Sequence, residues 1–256
     1  MSNLQICVAG VTGWTGAAVA DGVARAGDLT LRSGVSRSAA GTEVAGAPVH
    51  ARVAEALDGV DVLVEFTSHD AAKRHTLTAI ERGVAVVIGT SGLTAADYEE
   101  IDAAARAAGV GAIAAGNFSV TAAMAKAAAM LASRFIPSWE IIDYASAGKA
   151  DAPSGTAREL AETLGAAARE RTLEDTHGAV EARGADIAGT QVHSLRLPSF
   201  TVSTEIVFGA ADERLSIRHD AGSSAAPYVT GTLLAIRAVP GRTGLTRGLD
   251  ALLLAD

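Results

Sequence analysis

Cysteine is nearly absent from this chain. Cys7 is the only one in 256 residues, so no intrachain disulfide can form and a reducing, cytoplasmic setting is expected. Cys7 sits inside an apolar run and reads as a buried structural thiol. Aromatic residues are scarce at 4%, and 21 bases face 29 acids for a net charge of −8. A nucleic-acid binder shows a basic footprint and aromatic platforms, and neither is here. Long apolar runs are missing as well. Hydrophobic residues reach 49% and mean hydropathy is +0.26, yet alanine supplies much of this. No run approaches the roughly 18–20 residues of a membrane-spanning helix. No basic segment precedes the first apolar run, so no signal peptide is expected. The six histidines show no HxxxH or HxH spacing, which argues against a metal site. What remains is a globular chain able to bury a full core as one large domain or two modest ones. Any anionic ligand must be held by a local cluster of cations and N–H groups, against the global charge.

The first half alternates strand and helix. Leu4–Ala9, Leu29–Ser36, Val60–Phe66, Val84–Ile88 and Val110–Ala115 read as strands. Helices are expected from about Ala17 to Ala26 and from Thr94, which has capping-box spacing to Asp97, to about Ala108. Continuously apolar strands of this kind indicate a parallel sheet covered on both faces. After Asn117 the grammar changes. Helices are expected over Ser119–Arg134, from Thr156 to about Arg169 and over Ala225–Val239, the second with capping-box spacing from Thr156 to Glu159. Trp139–Ala145 reads as a strand and 171–189 as a loop. Thr190–Leu197, Thr201–Phe208 and Arg214–His219 follow as consecutive strands, which predicts antiparallel pairing and an α+β region. The apolar tail Leu249–Leu254 must pack on something, most simply the first domain.

Gly10-Val11-Thr12-Gly13-Trp14-Thr15-Gly16 lies between the first strand and the first helix. Glycines at this spacing allow a tight turn, let a pyrophosphate approach the backbone, and let helix and strand pack closely. The second strand ends in Ser36-Arg37, where an acid selects NAD and an arginine accommodates the 2′-phosphate of NADP. NADPH is therefore expected, with NADH possible. Phe66-Thr67-Ser68 and Gly89-Thr90-Ser91-Gly92 lie at strand ends, where this fold binds ligands, and offer small residues and hydroxyls to the nicotinamide side. Ordinary turn chemistry accounts for them equally. His69-Asp70 reads as a helix-start pair, and His193 and His219 as structural residues within strands.

Lys149-Ala150-Asp151-Ala152-Pro153-Ser154-Gly155-Thr156-Ala157 places a cation before a turn that opens a helix. Such a helix start offers N–H groups and a positive dipole end to a carboxylate.

These runs resemble the dihydrodipicolinate reductase family. Glu65-Phe66-Thr67, Asn117-Phe118-Ser119-Val120, Arg183–Asp186, Val192–Leu197, Ile217–Asp220 and Gly244–Leu249 add to the resemblance, which covers nearly the whole chain. It implies an α/β protein, with a Rossmann-like dinucleotide-binding domain over 1–118 and 225–256. The second domain, 119–224, would be α+β with a mixed, largely antiparallel sheet, bind substrate and build a homotetramer. It implies hydride transfer from NAD(P)H to a cyclic, imine-like dicarboxylate. Gly10, Gly13, Trp14, Thr15, Gly16, Ser36, Arg37, Phe66, Thr67, Gly89, Thr90, Ser91, Asn117 and Phe118 fall on its cofactor positions. Lys149, Ser154, Gly155 and Thr156 fall on its substrate motif, with Lys149 also a candidate proton donor or charge stabiliser.

Four positions depart from the pattern. The family's histidine pair, whose first member is regarded as the proton donor, is Ala145 and Ser146 here. A third histidine is Gly148, and the family's carboxylate-binding arginine falls at Ser224. Tyr144 is a conceivable replacement acid, but strand alternation turns it away from the Ala145 side. Three readings follow: a related reductase with a changed substrate, the family reaction with a remodelled site, or an NADPH-binding homologue with little activity.

Overall fold

The computed structural model describes residues 3–167 and 176–254 and divides into two compact units, Met1–Val120 with Ala225–Asp256, and Thr121–Ser224. The first unit runs β1 (Leu4–Ala9), α1 (Trp14–Arg25), β2 (Leu29–Val35), β3 (Glu43–Val44), β4 (Ala47–His50), α2 (Val53–Ala56), β5 (Val62–Glu65), α3 (His69–Ile80), β6 (Ala85–Ile88), α4 (Ala95–Ala108) and β7 (Gly111–Ala114). The second holds α5 (Val120–Ser133, its first residue in the first unit), β8 (Ser138–Ala145), α6 (Gly155–Ala167), β9 (Ala185–Ile187), β10 (Thr190–Arg196), β11 (Val202–Ala210) and β12 (Glu213–Ala221). The chain closes in the first unit with α7 (Ala226–Ala238), β13 (Gly244–Arg247) and α8 (Asp250–Leu253).

The first sheet has the order β13-β7-β6-β5-β1-β2-β4-β3. Every pair is parallel except β3–β4. Strands β5, β6 and β7 are buried at every residue, as a doubly covered parallel sheet requires. Thr94 and Asp97 form the expected reciprocal capping box at α4, and Gly109 ends that helix in the left-handed conformation. Helix α1 begins at Trp14, a turn earlier than the sequence suggests, because the glycine loop already has helix-start geometry at Gly13. Helix α3 opens at the His69-Asp70 pair read as a helix start, while α2 and the β3–β4 hairpin lie in stretches that the sequence pattern leaves unassigned. The C-terminal tail returns through β13, which pairs with β7, and Leu249 is 1% exposed. No helix among the described residues is long and apolar enough to cross a membrane.

The second sheet has the order β12-β11-β8-β10-β9. Strands β11 and β12 pair antiparallel, as expected for consecutive strands. Strands β10 and β11 do not pair with each other. They flank β8, β10 parallel to it and β11 antiparallel, so β8 is the central strand. Trp139, Ile141, Leu160, Leu164, Val192, Ile206 and Phe208 form the core between the sheet and its helices. The loop expected over 171–189 is described from 176 on, and there it contains a 3-10 turn at Val180–Arg183 and strand β9. The expected end of the preceding helix, 168–169, falls outside the described residues.

Candidate cofactor and anion sites

In the first unit, strand β1 delivers the chain into a loop with no room for a side chain at Gly10 or Gly16. Gly10 has φ +80°, and a Cβ there would stand 2.1 Å from the Phe66 carbonyl oxygen. A Cβ on Gly16 would stand 2.1 Å from the Gly10 carbonyl oxygen. Val35 O at the end of β2 accepts from the N–H groups of Gly10 and Val11, and Gly10 O accepts from Gly13 N at 2.8 Å. The bare loop ends on the N-terminus of α1, a combination that admits a pyrophosphate. Trp14, 57% exposed, meets the Tyr228 ring edge-on at 5.8 Å. Thr15 follows it, half-buried. The Ser36 hydroxyl lies 2.8 Å from that of Thr12 and 3.3 Å from that of Ser38. Arg37 beside them is exposed, and no acid stands in Ser36-Arg37-Ser38.

Phe66 connects three of the candidate segments. Its ring meets Phe118 edge-on at 6.0 Å and fills the space that a Cβ on Gly89 would need. Asn117 Oδ1 accepts from Ser119 N at 2.8 Å, shaping the chain around Phe118. Beneath this lies Glu65, 0% exposed. Its Oε1 accepts the Thr67 N–H at 2.8 Å, the Thr67 hydroxyl, and the Thr90 hydroxyl at 3.3 Å. Its Oε2 pairs with His75 Nδ1 at 2.9 Å. One buried carboxylate thus ties the 66–68 turn to the 89–92 turn. Ser91 is exposed at the tip of the latter. The role of Glu65 and His75 is not visible from spacing, although an acid ending an apolar strand is itself a signal.

In the second unit, β8 alternates between the two faces of its sheet. Trp139, Ile141, Asp143 and Ala145 point into the core, and Ala145 is 0% exposed. Tyr144 points to the other face, where its hydroxyl donates to Glu205 Oε2 at 3.0 Å and the Arg218 guanidinium lies over its ring. Burial and the Glu205 carboxylate push the Tyr144 phenol up. Tyr144 is therefore occupied away from the Ala145 side, as alternation predicts. Arg218 is itself held by Asp220.

Asp143 is 0% exposed and gathers four donors. Ser154 N donates to it at 2.8 Å, Ser154 Oγ at 2.7 Å, Arg196 Nη2 at 2.9 Å and Ser194 Oγ at 3.1 Å. Burial pushes its carboxyl up, but the Ser154 and Arg196 donors outweigh that and hold it below the usual carboxylate range. Ser154 Oγ also accepts the Ala157 N–H at 3.3 Å. Ser154 is thus the cap of α6, and Thr156 lies inside the helix, so the Thr156–Glu159 capping reading gives way. Glu159 pairs instead with Lys126 at 2.8 Å. Both Ser154 donors point inward, to Asp143. Gly155 and Thr156 stand half-buried at the helix start, and Lys149 pairs with Asp151 at 2.7 Å. Gly222, Ser223 and Ser224 after β12 are exposed and carry no cation.

His193 pairs with Glu140 at 2.7 Å, and His219 Nε2 lies 3.1 Å from Thr121 Oγ1. Burial lowers the His219 imidazole's affinity for a proton. No group of three His, Cys, Asp or Glu among the described residues is placed to hold a metal.

Comparison with known proteins gives consistent matches over both units. The family model described as "Dihydrodipicolinate reductase, N-terminus" matches residues 4–118, and "Dihydrodipicolinate reductase, C-terminus" matches 116–253. A 4-hydroxy-tetrahydrodipicolinate reductase of Streptococcus suis is 34% identical over 255 residues, covering 98% of this chain and 100% of its own. One from Moorella thermoacetica is 35% identical over 265 residues, covering 99% of each. A dipicolinate-bound dihydrodipicolinate reductase from a Paenisporosarcina species superposes with a TM-score of 0.79 at 25% identity, over 97% of this chain and 99% of that one. GenD2 from gentamicin A biosynthesis, solved with NAD, shares the fold with a TM-score of 0.68 at 17% identity, covering 99% of this chain and 91% of its own.

Proposed function

The chain belongs to the dihydrodipicolinate reductase family, a family of NAD(P)H-dependent oxidoreductases, and on that premise we propose that it reduces a small cyclic imine bearing a single carboxylate. One observation carries the reading. At the end of β8 the core-facing position is a buried alanine, Ala145, followed by Ser146 and Gly148, while Ser224 stands where the family has its arginine. The Lys149–Thr156 helix start is kept. One anionic pole of the substrate retains its partners, and the other has lost them.

The glycine loop fits a dinucleotide, because backbone carbonyls already occupy the space a Cβ would need at Gly10 and Gly16, so the turn stays tight and bare at the start of α1. Gly10, Gly13, Trp14, Thr15 and Gly16 would hold the pyrophosphate side, and Phe66, Thr67, Gly89, Thr90, Ser91, Asn117 and Phe118 the nicotinamide side. Bound NAD(P)H supplies the hydride, and the protein supplies orientation and electrostatics. The Ser36-Arg37-Ser38 end of β2 supports NADPH over NADH, because it offers hydroxyls and a cation to a phosphate and no acid to ribose hydroxyls. Lys149 and the start of α6 hold the carboxylate, and Lys149 stabilises or protonates the nitrogen as charge develops. A homotetramer built through the second unit belongs to the same reading and is checked by sedimentation.

A second reading is favoured by the names of the 34–35% identical relatives: reduction of 4-hydroxy-tetrahydrodipicolinate itself with a remodelled site. NADPH consumption over a panel separates the two. The panel contains that substrate and cyclic imines with no, one or two carboxylates. Highest kcat/KM on a monocarboxylate supports the proposal, and full rates on the dicarboxylate overturn it. Tight NADPH binding with no turnover of any member would mark a binding protein.

A further inference from the structure

We propose that Asp143 and Arg196 are a positioning pair for the carboxylate seat, acting through Ser154, which itself does not touch the substrate. The inference rests on the reading that Lys149, Gly155 and Thr156 hold a carboxylate. Asp143 lies on the central strand, fully buried, and takes both donors of Ser154. That fixes the residue that caps α6 and hence the direction in which Gly155 and Thr156 are presented. Arg196 lies on the neighbouring strand β10, opposite Ala145 and two register steps from the Ser194↔Asp143 pair. Its Nη2 donates to Asp143 Oδ2 at 2.9 Å and to the Asp151 carbonyl at 2.6 Å, and its Nη1 to the Asp143 carbonyl at 3.3 Å. The guanidinium therefore joins β8 to the middle of the segment that carries Lys149. A buried carboxylate beside an anion seat would repel the ligand, and the Arg196 charge cancels that repulsion. The pair sets the seat's geometry and keeps it receptive to an anion.

Calorimetry with the full chain and saturating NADP+ tests this, using pyridine-2-carboxylate and pyridine-2,6-dicarboxylate as probes. Asp143→Asn keeps the shape but can neither take both Ser154 donors nor balance Arg196. It is expected to weaken both probes by about tenfold or more, since charged hydrogen bonds of this kind are lost. Its NADPH affinity should stay within about twofold. Arg196→Lys restores the charge without the Asp151 bond and is expected to bind with an intermediate affinity. Ser154→Ala leaves the Asp143–Arg196 pair in place and should weaken both probes less than Asp143→Asn; it also serves if the latter does not fold. Unchanged probe affinity in folded Asp143→Asn, or in Ser154→Ala in its stead, overturns the positioning role alone. Failure of the unmodified protein to bind either probe overturns the carboxylate reading and the inference with it.

Discussion

The Glu65–His75 pair gives an asymmetric expectation. Glu65 is 0% exposed and His75 is 15% exposed at the side chain, so the pair is nearly dry. In Glu65→Gln the retained Oε1 still accepts from Thr67, and the new amide can donate to His75 Nδ1 once the imidazole takes its other tautomer. Only charge assistance is lost, on the order of 1 kcal/mol. In His75→Leu the carboxylate stays buried with nothing on Oε2, and breaking a buried pair from one side costs about 3–5 kcal/mol. His75→Leu should therefore lose about 3 kcal/mol, roughly 6–12 °C in Tm for a unit of this size. The double variant, with no charge to bury, should recover much of the loss. Thermal and urea unfolding of the four proteins closes the cycle. A His75→Leu deficit no larger than that of Glu65→Gln would refute the reasoning.

Other outcomes follow from single contacts. Arg37→Ala should weaken NADPH by about tenfold and leave NADH within about twofold by calorimetry, because the exposed cation has only a 2′-phosphate to recognise. Equal losses for both would show that Arg37 does not read the phosphate. Tyr144→Phe should leave kcat and its pH profile unchanged within about twofold, since that hydroxyl serves Glu205 on the far face of the sheet. The Asp97 carboxyl is lowered to about 2 by Lys73 and the Thr94 cap. A lowered carboxyl stabilises the fold above its unfolded range, near pH 4, and that contribution fades as the pH falls toward 2. The urea midpoint of Asp97→Asn should thus lie below that of the unmodified protein by a constant amount above pH 4–5. The gap should narrow below that pH, and a constant gap down to pH 3 would exclude Asp97 as its source.

The parallel sheet was legible because β5, β6 and β7 are apolar at every position, which only a doubly covered strand tolerates. The glycine loop was legible because its spacing carries its mechanism. Central β8 was harder to place: its parallel partner β10 lies some fifty residues away, and nothing local in either strand encodes that pairing. The inward setting of Ser154 was hidden for a related reason. A hydroxyl at a helix start looks like a ligand donor until its acceptor is known, and that acceptor, Asp143, lies eleven residues earlier on another element. The pattern did hold a clue. Period-two alternation puts Asp143 on the same face as Trp139 and Ile141, and an acid on a core face needs donors brought to it. Glu65 and His75 escaped notice because the partners of that carboxylate come from three different segments.

The two departures from the family pattern act on different kinetic constants, which makes the substrate reading quantitative. Loss of a general acid lowers kcat by about 10²–10⁴. Loss of a bidentate arginine removes charged hydrogen bonds of about 1.5–3 kcal/mol, roughly 10–150-fold in binding. If independent, they place kcat/KM for a dicarboxylate about 10³–10⁶ below that of a site holding both groups. A monocarboxylate imine has no second anion for that arginine, so it escapes the binding part of the loss. Ser224→Arg should therefore lower KM for 4-hydroxy-tetrahydrodipicolinate by about tenfold while leaving a monocarboxylate imine within about twofold. Position 224 is exposed, so the longer side chain can be accommodated without disturbing the core. Steady-state kinetics with saturating NADPH on both substrates reads the difference directly. A KM that falls for both would mean that the new cation merely attracts anions to the surface. One that falls for neither would mean that the second carboxylate is held by groups other than the missing arginine, and that the dicarboxylate is the substrate after all.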